Sequence, residues 1–341
     1  LFINIALGTN VIIANAIGRG DNDTVRKAVH TSIVASVIGG LVTTVIGELI
    51  SESLLKTLHV PDEVFDLSLQ YLRIYFLGMP VILLYNFEAA IFRSEGDTKT
   101  PLIVLAISGV LNVVLNLFFV IVFNMAVMGV AVATVISNAV SAVILFRMLM
   151  KTDKCIKIDL KELKIDPACL KQILAIGLPA GCQSAFFSIS NIVIQSAINS
   201  LGTVVMAASG AALNLEILAY DMLNSFSQAC TTFVGQNYGA GNLKRCKKTL
   251  YICLIEDVIA LAITILAVLF AGKFMLSLFN NDPEVIRIGY TRLVIIFSAY
   301  TFSMLYEVMT GYLRGFGISF VPAVLVMVGV CVIRIIWIQT V

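Results

Sequence analysis

The chain has 341 residues, of which 59% are hydrophobic and only 13% charged, with a formal net charge of +2. Together with a mean hydropathy of +0.97, this excludes an ordinary soluble domain, and nothing in the charge suits a nucleic-acid partner. The composition fits a chain whose solvent is the lipid bilayer.

In chain order the apolar runs are 1–17, 31–50, 65–92, 102–123, 126–150, 173–198, 204–234, 250–271, 285–313 and 321–341. From the second onward, each has the roughly 20 residues needed to cross a hydrocarbon layer about 30 Å thick. The chain opens without Met inside one run and stops inside another, so a piece lacking material at both ends is expected. The loops 19–30, 93–100, 151–171, 236–248 and 314–321 hold nearly all the loop Lys and Arg, Arg93 and Arg314 among them. Lys56 and Lys273 are the exceptions on the other side. The positive-inside rule therefore puts the first set in the cytoplasm of a multi-pass protein of the prokaryotic inner membrane. The most polar part, 151–171, reads as a cytoplasmic linker whose Ile156, Ile158, Leu160, Leu163 and Ile165 lie along the membrane interface.

The seven cysteines form no CxxC pair, so they read as small hydrophobes, with neither metal nor disulfide. His30 and His59 read as interfacial loop residues on opposite faces. No reactive arrangement surrounds either, which argues against an integral-membrane enzyme.

Sliding the chain by 221 positions, the distance from Gly20 to Gly241, brings rare residues into register without a gap. Gly18 meets Gly239, Arg93 meets Arg314, and Pro101 meets Pro322. We take this as a duplication. It predicts an all-α polytopic membrane protein of about twelve spans when intact, in two six-helix lobes related by a pseudo-two-fold axis along the membrane normal. The offset implies about 50 residues before Leu1 and about 30 after Val341. Residues 1–150 then form the N-terminal lobe, 151–171 the linker and 172–341 the C-terminal lobe. The stretch FVGQNYGAGN, with its weaker copy NAIGRGDN, lacks the Gly-Lys-Ser/Thr close of a phosphate loop. Gly18, Gly20, Gly239 and Gly241 are read instead as left-handed caps that end membrane helices.

These glycine loops, the FRSEGDTKTP and LRGFG…P loops, and the Gly177-Leu178-Pro179 opening of a helix resemble the MATE family of multidrug and toxic-compound extrusion transporters. The resemblance covers essentially the whole chain. It implies a secondary antiporter that needs no cofactor. Such a protein works as a monomer in the bilayer and expels organic, cationic compounds in exchange for H⁺ or Na⁺ by alternating access. In the vibrio-type Na⁺-coupled branch an acid lies in the seventh span and an Asp in the tenth; here those positions hold Phe187 and Ser303. The residue roles of that branch do not transfer, and the coupling ion stays open. A runner-up in the same superfamily is a lipid-linked oligosaccharide or polysaccharide flippase, which would want several cationic side chains in its cavity.

Ionisable groups in mid-span are the independent sign, because each costs roughly 2.5–3.5 kcal/mol unless it faces a cavity or a partner. Glu307 is the first candidate for the coupling-ion carboxylate, with Glu216, Asp221 and Glu88 next and Asn86 as the repeat counterpart of Glu307. Arg334 also falls near mid-span and is expected to pair with Glu307 or Glu216. Polar residues recur at helical spacing as Ser184, Ser188, Asn191 and Gln195, as Glu216, Tyr220, Asn224 and Gln228, and as Ser108, Asn112 and Asn116. Such stripes suit a cavity wall or interhelical hydrogen bonds. Phe186, Phe187, Tyr220, Met222, Met304 and Met309 suit an adaptable surface for flat cations.

Overall fold

The computed structural model describes residues 2–57 and 60–340; His59 lies outside them. The described residues form helices and connecting turns, with no strand among them. In lipid this is forced, since a helix bonds its own N–H and C=O groups where no water is available to do so.

The first helices are α1 (Phe2–Arg19), α2 (Asn22–Thr57), α3 (Asp62–Leu77), α4 (Met79–Ser94) and α5 (Lys99–Leu117), the last ending in a π turn at Phe118–Val122. After α6 (Ala126–Lys151) the linker contains one 3₁₀ turn, Leu160–Glu162. Then follow α7 (Pro167–Asn199), α8 (Thr203–Gly239), α9 (Leu243–Ser277) and α10 (Pro283–Gly315). Last come α11 (Phe320–Val326), a π turn at Met327–Val332, and α12 (Ile333–Thr340), which continue one another. Among the described residues eight helical stretches are long and apolar enough to cross a membrane.

The run 65–92 is not one continuous helix. It is α3 and α4, bent by 48°, with the break at Gly78, whose α-carbon lies against Val135 of α6. Pro80 follows in the first turn of α4, where an N–H has no intrahelical partner to lose.

The chain forms two compact units, Phe2–Gly177 and Leu178–Val341. The division falls inside α7, beside Pro179, which lies within the helix rather than at its opening. Its ring removes the N–H that would bond the carbonyl four residues back.

In the first unit the core gathers Val11, Ile13, Val29, Ile91 and Leu145, together with Ile156 and Ile158 of the linker. These two linker isoleucines are buried in protein, not laid on a bilayer surface, whereas Leu160 is exposed. His30 explains why. It is not a loop residue but a buried member of α2. Its Nδ1 lies 2.7 Å from the Arg26 carbonyl, and its Nε2 accepts the Asp159 N–H at 3.0 Å. Thr31 Oγ1 accepts the Asp166 N–H at 2.9 Å, so one turn of α2 pins the linker at two points.

In the second unit α10 packs along α8 and α9 packs against both. The approach of α8 to α10 is set by Gly311, where a Cβ would overlap the Ser227 backbone carbonyl, and by Gly315 against Val234. Ser227 Oγ donates to the Glu307 carbonyl at 2.7 Å, and Thr231 Oγ1 donates to the Gly311 carbonyl at 3.0 Å. Small residues and hydroxyls hold helices together where lipid is as apolar as leucine.

The duplication is visible in the turns. Gly20 and Gly241 have φ of +70° and +71°, and Gly96 and Gly317 have +90° and +85°. At all four the next residue's N–H reaches back five positions, as Asp21 to Ala16, Asn242 to Asn237, Asp97 to Phe92 and Ile318 to Leu313. This is the Schellman closure. Gly18 and Gly239, expected as caps, remain helical. Arg93 and Arg314, expected in loops, lie in α4 and α10, and Pro101 and Pro322 are buried in the first turns of α5 and α11.

A side chain in the left-handed region costs about 1–2 kcal/mol. Gly241→Val and Gly20→Val are therefore expected to lower the melting temperature of the full-length protein in detergent. Gly109→Ala, helical and with nothing within 4 Å of its added carbon, is expected to leave it unchanged or raised.

Candidate functional site

The second unit encloses a cavity of about 520 Å³. From α7 it takes Phe187, Asn191 and Gln195; from α8, Glu216 and Tyr220. Arg292, Tyr300, Ser303 and Tyr306 come from α10, and Arg334 closes it from α12. The volume and the mix of apolar wall with a few polar groups suit a drug-sized molecule.

The wall is built by the helix periods read in the sequence. Asn191 and Gln195 are one turn apart, as are Glu216 and Tyr220, so each pair presents one face. The Phe187 and Tyr220 rings stack with centroids 6.2 Å apart. Glu216 is held by Arg292, not Arg334: Nε donates to Oε1 at 2.7 Å and Nη2 to Oε2 at 3.1 Å. Tyr300 Oη donates to the Glu216 backbone carbonyl at 3.3 Å. Arg334 has no carboxylate within ion-pair distance among the described residues. Its guanidinium lies over the Phe187 ring, 5.7 Å from the centroid. The expected pairing of Arg334 with Glu307 or Glu216 is thus replaced by a cation–π contact, because Arg292 already occupies both oxygens of Glu216.

Behind the wall lies a second group. Glu307 is 5% exposed and accepts a hydrogen bond from Tyr220 Oη at 3.1 Å. Arg314, two turns further along the same face of α10, is close enough to attract it, and its Nη2 donates to Gln183 Oε1 at 2.8 Å. Asp257 of α9 is fully buried and close enough to Glu307 for like charges to repel. Both its carboxylate oxygens lack a hydrogen-bond partner among the described residues. Asp257 was missed in the sequence, although the signal was there. It interrupts the apolar run 250–271 just as Glu307 interrupts 285–313.

Other expected site residues fall elsewhere. Asp221 is exposed and neither it nor Asn224 lines the cavity. Ser184 and Ser188 turn their hydroxyls back onto the carbonyls of Ala180 and Ser184. In the first unit Asn116 Nδ2 donates to Asn112 Oδ1 at 3.0 Å, and Asn112 Nδ2 reaches Thr134 Oγ1 of α6 at 3.4 Å. That stripe therefore joins α5 to α6. Asn86 bonds its own helix at the Ile82 carbonyl. Glu88 is fully buried, and neither of its carboxylate oxygens has a hydrogen-bond partner among the described residues.

Among the described residues, helices long and apolar enough to cross a membrane, with an amphipathic cavity between them, define a polytopic membrane protein. The MatE family model matches residues 1–118 and 179–338, and the chain belongs to that family. It is 26% identical over 330 residues to Probable multidrug resistance protein YoeA of Bacillus subtilis (strain 168), covering 95% of this chain and 71% of that one. Against Probable multidrug resistance protein YpnP of the same organism it is 29% identical over 289 residues, covering 84% of this chain and 64% of that one. In fold it is similar to an outward-facing conformation of a multidrug resistance MATE family transporter of the MOP superfamily. That likeness has a TM-score of 0.92 and 20% identity, over 99% of this chain and 76% of that one. Proteins of this family are transporters, not enzymes.

The Glu216–Arg292 pair yields a direct test. Removing one partner of a buried ion pair costs about 3–5 kcal/mol because the other charge is stranded. Arg292→Gln is expected to destabilise the full-length protein by that order in thermal unfolding, and adding Glu216→Gln is expected to recover most of the loss.

Proposed function

We propose that the protein is a secondary antiporter that exports small organic compounds in exchange for H⁺ or Na⁺ by alternating access. In this reading the cavity holds the compound, Glu307 with Asp257 carries the coupling ion, and the linker is on the cytoplasmic side. The relatives named as multidrug resistance proteins support export of drug-like molecules rather than lipid-linked glycans.

The observation that carries the reading is the double position of Tyr220. Its ring forms part of the cavity wall, and its hydroxyl donates to Glu307. The group behind it holds two carboxylates, Glu307 and Asp257, against one guanidinium, Arg314. Two negative charges and one positive, taken out of water, leave one negative charge that H⁺ or Na⁺ neutralises. With that ion absent, Glu307 draws the phenol back and the cavity is open. With it present, the carboxylate no longer holds the phenol, which turns into the space a compound would fill. Ion and compound then exclude one another through Tyr220, which is what exchange requires.

The carboxylates behind the expectation of cationic substrates are otherwise engaged. Glu216 is neutralised by Arg292, Glu307 is masked by Tyr220, and Asp221 lies off the cavity.

Glu307→Gln is expected to abolish gradient-driven movement of fluorescent dyes, cationic and anionic tried in turn, in inverted vesicles carrying the full-length protein. Asp257→Asn is expected to reduce it at least about tenfold, the rate equivalent of roughly 1.4 kcal/mol. Should neither a pH nor a Na⁺ gradient drive any dye in the unmodified protein, the antiport reading is wrong.

A further inference from the structure

We infer that the cavity of the second unit selects compounds bearing a single negative charge on an aromatic or otherwise flat apolar body, with Arg334 as the residue that receives the charge. The inference rests on the reading of this cavity as the compound-binding site.

Three charged side chains line the cavity: Glu216, Arg292 and Arg334. The first two cancel, since Arg292 donates two hydrogen bonds to the two oxygens of Glu216. A bidentate pair of this kind is the strong form of the interaction and leaves little field at a distance. Among the side chains that line the cavity, Arg334 is therefore the one whose charge is left uncancelled. It is partly buried among membrane-spanning helices, has no carboxylate within ion-pair distance among the described residues, and lies over the face of Phe187.

A cation over an aromatic ring is held more weakly than one paired with an anion. Among the described residues the guanidinium makes no hydrogen bond, which leaves its planar fork of donors to match a carboxylate or sulfonate. The surrounding chemistry describes the rest of the ligand. Phe187, Tyr220, Tyr300 and Tyr306 offer ring faces and edges for a flat apolar body, while Asn191 and Gln195 can bond neutral polar groups. A single free guanidinium suits one negative charge and is poorly matched to a pyrophosphate, which would need several.

Arg334 lies near the start of α12, just after the π turn Met327–Val332 that interrupts the last helical stretch. Such turns shift the side chains that follow them around the helix axis and recur at functional sites. Here Val330 of the turn and Arg334 both reach the cavity. The charged neighbours of Arg334 include Arg292 and Glu216, with Tyr306 beside them.

The test compares two ligands of one shape and opposite charge, pyrene carboxylate and pyrene methylamine. Each is titrated by calorimetry into full-length protein in neutral detergent, with heats into empty micelles subtracted. The carboxylate is expected to bind at least about tenfold more tightly than the amine, the scale of one charge-assisted hydrogen bond. Arg334→Gln is expected to weaken the carboxylate about tenfold and leave the amine unchanged or bound more tightly, with Arg334→Lys in between. If Arg334→Gln does not fold, the preference of the unmodified protein decides. Equal or tighter binding of the amine overturns the inference, as does an equal loss for both ligands in Arg334→Gln. Because binding needs no gradient, carboxylate selectivity without any driven transport keeps this site and removes the antiport reading.

Discussion

At Gly311 the backbones of α8 and α10 come so close that any side chain would strike the Ser227 carbonyl. In lipid this contact cannot rest on hydrophobic gain, so it rests on close packing and on two hydroxyl bonds, from Ser227 to the Glu307 carbonyl and from Thr231 to the Gly311 carbonyl. The consequence is positional. One turn before Gly311 lies Glu307, and the same approach sets its carboxylate 3.1 Å from Tyr220 of α8. The distance between a cavity wall and a buried acid is therefore fixed by a glycine that touches neither compound nor ion.

The charges of this unit fall into three states, and the differences among them order their roles. Glu216 and Arg292 answer one another fully, which makes them a brace across α8 and α10 rather than a binding group. Glu307 and Asp257 outnumber Arg314, which is the basis of the proposal that this buried group takes up a counter-ion. Arg334 has an aromatic face and no acid, so it is the side chain whose surroundings improve most when an anion arrives.

The fold was legible from long apolar runs and from a fixed repeat, because both are properties of the chain alone. The left-handed caps expected at Gly20 and Gly241 are there, and Gly96 and Gly317, in the same register, share a positive φ as well. Glu307 could be found for a similar reason, as an acid deep in an apolar run. What stayed hidden depends on rotation about helix axes and on which apolar surface meets which. Periodicity put Glu216 on a polar face but could not say that Arg292, rather than Arg334, would arrive opposite it. Hydropathy could not tell Ile156 and Ile158 buried in protein from the same residues buried in lipid, since both surroundings are equally apolar. Pinning by His30 was invisible because its partner, the Asp159 N–H, is a backbone group far along the chain. Asp257 differs, because an acid inside the apolar run 250–271 is as legible as Glu307 in its own run.

The central claim is that Tyr220 makes ion and compound exclude one another. It is tested most directly by measuring the affinity of a transported compound for the full-length protein, without a gradient, as the concentration of H⁺ or Na⁺ is raised. For the unmodified protein the affinity is predicted to fall as the coupling ion rises, and for Tyr220→Phe, which keeps the ring and loses the donor, to change little. The same fall in Tyr220→Phe would contradict the account.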